Sequence, residues 1–182
     1  MVSFLRQRGC GRLGGTAFGL AAVLLVGLAT PTAAVDLDAL RIELVSDGDI
    51  GARQRNSVPK DLADPKARDI YHDFLTNVDR IDISGLEPGK TYTLTFWAID
   101  HGQNDGKKTT FTHVTADGET ELGTIVNVKG LALKGKGLEP GSLTADLVTD
   151  DQGRIRVGVS WILSGFSLSV DGRTHLFDAG MA

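Results

Sequence analysis

Cysteine is almost missing from this chain: Cys10 is the only one among 182 residues. A single thiol excludes both an intrachain disulfide framework and a cysteine-built zinc module. Aromatic residues are scarce at 6%, and the two tryptophans are Trp97 and Trp161. Sustained helical periodicity is lacking, which leaves strands to carry the fold. Basic residues are outnumbered, 19 against 23 acidic ones, and they form no stripe. Neutralising a phosphate backbone needs such a stripe, so nucleic acid is excluded as a partner. No Gly-x-Ser-x-Gly elbow, His-Glu-x-x-His helix, phosphate-cradling loop or dinucleotide fingerprint occurs. His72-Asp73 and Asp100-His101 are adjacent pairs, and neighbours on a strand point to opposite faces. The chain therefore reads as a non-enzyme, with a dispersed carboxylate pair of glycosidase type as the catalytic alternative.

What is present begins with an address. Arg6, Arg8 and Arg12 precede an uncharged apolar run from Phe18 to Ala29, and Pro31-Thr-Ala-Ala34 supplies small residues. That is the plan of a signal peptide over residues 1–34, cleaved after Ala34. The apolar run is short against the about 20 residues a bilayer span needs. Cleavage leaves residues 35–182 as one secreted or periplasmic domain, with no membrane attachment. Cys10 leaves with the signal, so the mature domain is disulfide-free. Three arginines also leave, and 19 less three is 16, against 23 acids a net charge of about −7.

The domain reads as short alternating runs separated by Gly, Asp and Asn. Strands are expected at Leu40 to Val45, Arg68 to Leu75 and Asp79 to Ser84, with a turn at Asn77. A long loop spans residues 46–66, with a helical turn near Lys60 to Ala63. Tyr92 to Ile99 forms a long strand, followed by Thr109 to Thr115, Leu122 to Val128 and Leu143 to Val148. Lys129 to Gly141 is a glycine-rich connector. After the Asp150 to Gly153 turn come Arg154 to Leu163 and a last strand from Phe166. About eight or nine strands predict an all-β antiparallel sandwich, a jelly roll. Gly-Leu-Glu-Pro-Gly occurs at Gly85 to Gly89 and again at Gly137 to Gly141, as similar turns before similar strands.

The first of those turns is the most specific signal. Pro88 fixes φ, Gly89 tolerates positive φ, and Tyr92 follows at the spacing of a tyrosine corner. In that corner the phenol hydroxyl bonds back to the turn backbone and ties two sheets together.

On these elements the chain resembles the galactose-binding-like jelly-roll domains of secreted bacterial proteins, malectin-like and carbohydrate-binding modules among them. The resemblance is carried by Asp69-Ile-Tyr-His-Asp-Phe74, by Leu86-Glu-Pro-Gly-Lys-Thr-Tyr92-Thr-Leu-Thr, and by a terminal pair of segments. That pair is Asp151-Gln-Gly-Arg-Ile-Arg-Val157 and Leu163-Ser-Gly-Phe-Ser-Leu168. It implies a non-catalytic domain that binds carbohydrate. The Leu-x-Pro-Gly-x-x-Tyr element is equally similar to fibronectin type III, which implies a structural or adhesive protein–protein module of the cell envelope.

Trp97 alternates opposite Tyr92, Leu94 and Phe96, so it is expected to be partly exposed and to stack on a sugar ring. Trp161 shares parity with Ile155, Val157 and Val159 and is expected in the core. Arg154 and Arg156 share one face, where their planar forks could clamp hydroxyls or a carboxylate. Asp100, His101 and Asn104 offer oxygen and imidazole ligands in a loop at a strand end. The same loop is a candidate for a structural calcium ion, which prefers carboxylate and amide oxygens.

Overall fold

The computed structural model describes residues 39–54, 65–100, 104–128 and 140–179. All belong to one compact unit, Thr32–Ala182. The signal segment, the helical turn near Lys60, His101 and residues 129–139 of the connector lie outside the described residues. No helix among the described residues is long and apolar enough to cross a membrane.

The chain opens with β1 (Arg41–Val45) and β2 (Gly51–Gln54), then α1 (Pro65–His72) running into β3 (Asp73–Thr76). Next come β4 (Arg80–Ser84), β5 (Thr91–Trp97), β6 (Lys108–Thr115) and β7 (Gly118–Val126). The last third supplies β8 (Ser142–Val148), β9 (Ile155–Val159), β10 (Ile162–Leu163), β11 (Gly165–Val170) and β12 (Arg173–Asp178). A five-stranded sheet, β1-β4-β9-β6-β7, and a four-stranded sheet, β12-β11-β5-β8, form an antiparallel β-sandwich, beside a small β10-β3-β2 sheet. The chain changes sheet between β4 and β5, β5 and β6, β7 and β8, and β8 and β9. Jelly rolls are built from such interleaving.

Alternation explains the core. Ile81, Ile83, Ile155 and Val157 project from the larger sheet, and Tyr92, Leu94, Phe96 and Leu168 from the smaller one; all are buried. Each such side chain contributes about 1.5–3 kcal/mol on leaving water. Phe96 of β5 stacks on Phe111 of β6 with centroids 4.8 Å apart, joining the two layers.

Among the described residues there are twelve strands, against the eight or nine expected. The added ones are short or terminal: β2 lies inside the anticipated 46–66 loop, β10 is a two-residue bridge, and β12 follows a tight turn at Asp171 and Gly172. The anticipated strand from Arg68 to Leu75 is half helix. A short apolar run such as Ile70, Tyr71 and Phe74 satisfies helical and extended spacing alike, and Pro65 opens the helix, where its lost N–H is harmless.

The tyrosine corner is present. The Glu87 N–H donates to the Tyr92 hydroxyl at 3.1 Å, and Tyr92 is 1% exposed. The corner also grips the β8–β9 turn. The Leu86 N–H donates to the Gly153 carbonyl at 3.1 Å, and the Thr149 hydroxyl donates to the Glu87 carbonyl at 2.7 Å. Gly153 has φ 68°, and a Cβ there would collide with the Leu86 carbonyl oxygen. Only glycine fits this approach, so the corner sets where the turn from Asp150 to Arg154 stands.

Candidate functional site

The two tryptophans exchange the roles their parity suggests. Trp97 is 4% exposed, so it offers no open face for stacking. The cause is α1, absent from the sequence reading. Trp97 pairs across the sheet with Gly165, and a Cβ at Gly165 would collide with Ile70 of α1. The helix therefore covers the face on which Trp97 projects. The Tyr71 hydroxyl fastens α1 by donating to the Pro140 carbonyl at 3.1 Å, beside Ser142, the other cross-strand partner of Trp97. Trp161, expected in the core, is half-buried. It sits in a bend between β9 and β10 that breaks the alternation, with the Lys107 ammonium 4.3 Å from its ring centroid.

Asp100 and Asn104 use their side chains within their own loop. Asp100 is 1% exposed, and its carboxylate accepts from the Asn104 amide at 2.7 Å. Asn127 pins the loop from β7's end. Its amide oxygen accepts from the Asp100 N–H at 2.8 Å, and its amide nitrogen donates to the carbonyls of Asp100 and Asn104. Among the described residues, no group of three or more His, Cys, Asp or Glu side chains could hold a metal ion. His72 and Asp73 also depart from expectation. The pair spans the junction of α1 and β3 rather than a single strand, and the His72 Nδ1 meets the Asp73 carboxylate.

Arg154 and Arg156 lie elsewhere. Val148, at the rim of their cleft, pairs with Thr91, whereas Trp97 ends the same strand six residues on, roughly 20 Å away at strand rise. Trp97 with the Asp100 loop, and the two arginines, therefore lie at opposite ends of β5.

At the Thr91 end a cleft of about 540 Å³ opens between the β6–β7 hairpin and the β8–β9 turn. Ala116 and Asp117 form one lip, Asp150 to Gln152 the other, with His113, Arg154 and Arg156 also lining it. Its volume lies in the ~300–1,000 Å³ range that holds small-molecule ligands. Both lips are short turns held by local structure. One is a two-residue hairpin with Gly118 at φ 132°, and the other is held by the tyrosine corner. Asp150 caps its own turn, accepting from the Gln152 N–H at 2.9 Å and the Arg154 N–H at 2.8 Å, while the Arg154 Nε donates to it at 3.0 Å. Burial alone would raise the Asp150 carboxyl, but the Arg154 backbone and guanidinium and the Gln152 N–H hold it below the usual carboxylate range. Desolvation lowers the His113 imidazole below its ordinary 6.5, which keeps it neutral at pH 7.

A second cleft, about 180 Å³, lies on the outer face of the larger sheet between Arg41, Glu43, Asp82 and Ser84, and Arg154 and Arg156 line it as well. Sequence reasoning selected these two arginines but missed His113, Asp117 and the turn acids Asp150 and Asp151. The available signal was topological: the β6–β7 hairpin and the β8–β9 turn fall at the same end of the sandwich. No protein-family model matches the chain, and no curated protein matches it either.

Proposed function

We propose that this chain is a secreted, non-catalytic binding domain of galactose-binding-like type, and that its ligand is a carbohydrate held between the two turns. The observation that carries the reading is the 540 Å³ cleft, whose lining mixes carboxylates, an amide and two guanidinium groups. Sugar hydroxyls both donate and accept, so a wall of Asp117, Asp151, Gln152 and Arg156 can satisfy a ring without an aromatic platform. Turns on a rigid sandwich are where such folds carry recognition. Binding without turnover is favoured because His113 forms no hydrogen bond to a carboxylate among the described residues, so no base–orienter pair supports it. Affinity electrophoresis through gels containing common polysaccharides tests the proposal. Retardation in at least one gel, lost in Asp151→Ala combined with Gln152→Ala, is expected; unretarded migration in all of them removes it.

A structural module of the cell envelope is the second reading. β7 is a nine-residue edge strand, and Val126 on it is 49% exposed. Exposed edges can accept a partner strand. Monomeric behaviour by light scattering at high concentration would count against it.

A further inference from the structure

Among the described residues, two arginines on the outer face of the larger sheet, Arg80 and Arg154, are held by carboxylates. Arg80 and Asp82 project from β4 on the same side, and the Arg80 fork engages both Asp82 oxygens, with its NH2 group donating at 2.9 Å. Arg154 is held by Asp150 at 3.0 Å. Arg156 stands directly across from Asp82 in the β4–β9 register, and Asp82 is engaged by Arg80. Among the described residues, Arg156 forms no hydrogen bond or ion pair, although it is half-buried. A guanidinium presents five donors, and at Arg156 they face the clefts, open to a ligand.

Its position explains what could meet them. Arg156 lines both clefts, so with Arg154 it forms the ridge between them. The larger cleft carries Asp117, Asp150 and Asp151 on its lips, which repel an anion and accept from hydroxyls. A ligand lying over the ridge therefore meets hydroxyl acceptors on one side and an unpaired planar cation in the middle. The chain's net charge of −4 makes general attraction of polyanions unfavourable, so any anion bound here must be read locally.

Resting on the carbohydrate reading of the larger cleft, we propose that the ligand is an acidic glycan whose sugar carboxylate is clamped by the Arg156 guanidinium on the ridge between the two clefts. Planar carboxylate and planar guanidinium match in bidentate geometry, which lysine cannot reproduce. A sulfate ester presents related chemistry, and the choice of probe separates the two.

Titration of the full chain by isothermal calorimetry, with polygalacturonate, neutral galactan, dextran sulfate and dextran as probes, tests this. The expected result is polygalacturonate binding about tenfold or more tightly than galactan, weakening with salt. Arg156→Ala should abolish that preference by weakening polygalacturonate binding far more than galactan binding, and Arg156→Lys should restore it only in part. Arg156→Gln, which keeps the stem, replaces the alanine variant if the latter melts early. Equal binding of acidic and neutral polymers, insensitive to Arg156, overturns the inference and leaves the carbohydrate reading standing. Preference for dextran sulfate over polygalacturonate also overturns the carboxylate assignment. Silence toward all four probes overturns both.

Discussion

Two glycines with the same backbone conformation provide a calibrated test of how the fold positions the cleft. Gly89 and Gly153 have φ of 69° and 68°, so alanine at either position carries the left-handed penalty of about 1–2 kcal/mol. Around Gly89 an added Cβ meets nothing within 4 Å. Around Gly153 it would collide with the Leu86 carbonyl oxygen and lie 3.0 Å from the carbonyl carbon. Backbone cannot rotate away as a side chain does, so the β8–β9 turn must lift off the tyrosine corner. That movement also breaks the Leu86 N–H to Gly153 carbonyl bond, a further ~0.5–1.5 kcal/mol. Gly89→Ala should therefore cost about 1–2 kcal/mol and Gly153→Ala about 1.5–3.5 kcal/mol. At about 2–4 °C per kcal/mol for a domain of this size, the second variant should melt clearly below the first. Urea denaturation followed by circular dichroism gives both free energies. The lifted turn carries Asp150 to Gln152, so Gly153→Ala should also weaken polysaccharide retention below its melting range, whereas Gly89→Ala should not. Equal losses from the two substitutions would refute the packing of turn on corner.

Tyr92→Phe keeps the buried ring and removes the hydroxyl that accepts from Glu87, so it should cost about 0.5–1.5 kcal/mol in denaturant titration, and an unchanged midpoint would contradict the corner. Trp97→Ala empties a buried site and should cost about 3–5 kcal/mol, with polysaccharide retention preserved at temperatures where the variant is folded; loss of retention without loss of stability would restore Trp97 as a platform. His113 has a folded-state value below its unfolded one, so the unfolded chain binds the extra proton as pH falls through 6.5, and stability must drop on acidification. Melting at about pH 5.5 against about pH 7.5 should show that drop shrinking in His113→Gln, and an identical pH dependence in both proteins would remove His113 as its source.

The parts of the molecule written locally were legible. Pro88, Gly89 and Tyr92 specify their corner within a few residues, and strict alternation marks β4, β5, β8 and β9. What failed depends on contacts distant in sequence. Trp97 reads as half-exposed from its strand alone, and its burial comes from α1, whose eight residues are too few for period to separate helix from strand. Trp161 reads as core because its parity continues from β9, but the strand has ended before it. Arg156 reads from its strand as outward-facing, while the Arg80–Asp82 pairing on the neighbouring strand is a contact that its own strand does not reveal. The duplicated pentamer precedes β5 and β8, which pair antiparallel, so the two copies begin strands running in opposite directions rather than successive repeats.

Chemical-shift mapping of the backbone amides during titration with a polysaccharide fragment tests the location of the binding site most directly. If the cleft between the two turns is the site, the perturbed amides are those of Thr115 to Asp117 and Asp150 to Arg156, with Trp97 and the Asp100 loop silent. Perturbations centred instead on the outer threonines of the smaller sheet, Thr93, Thr95 and Thr144, would contradict it.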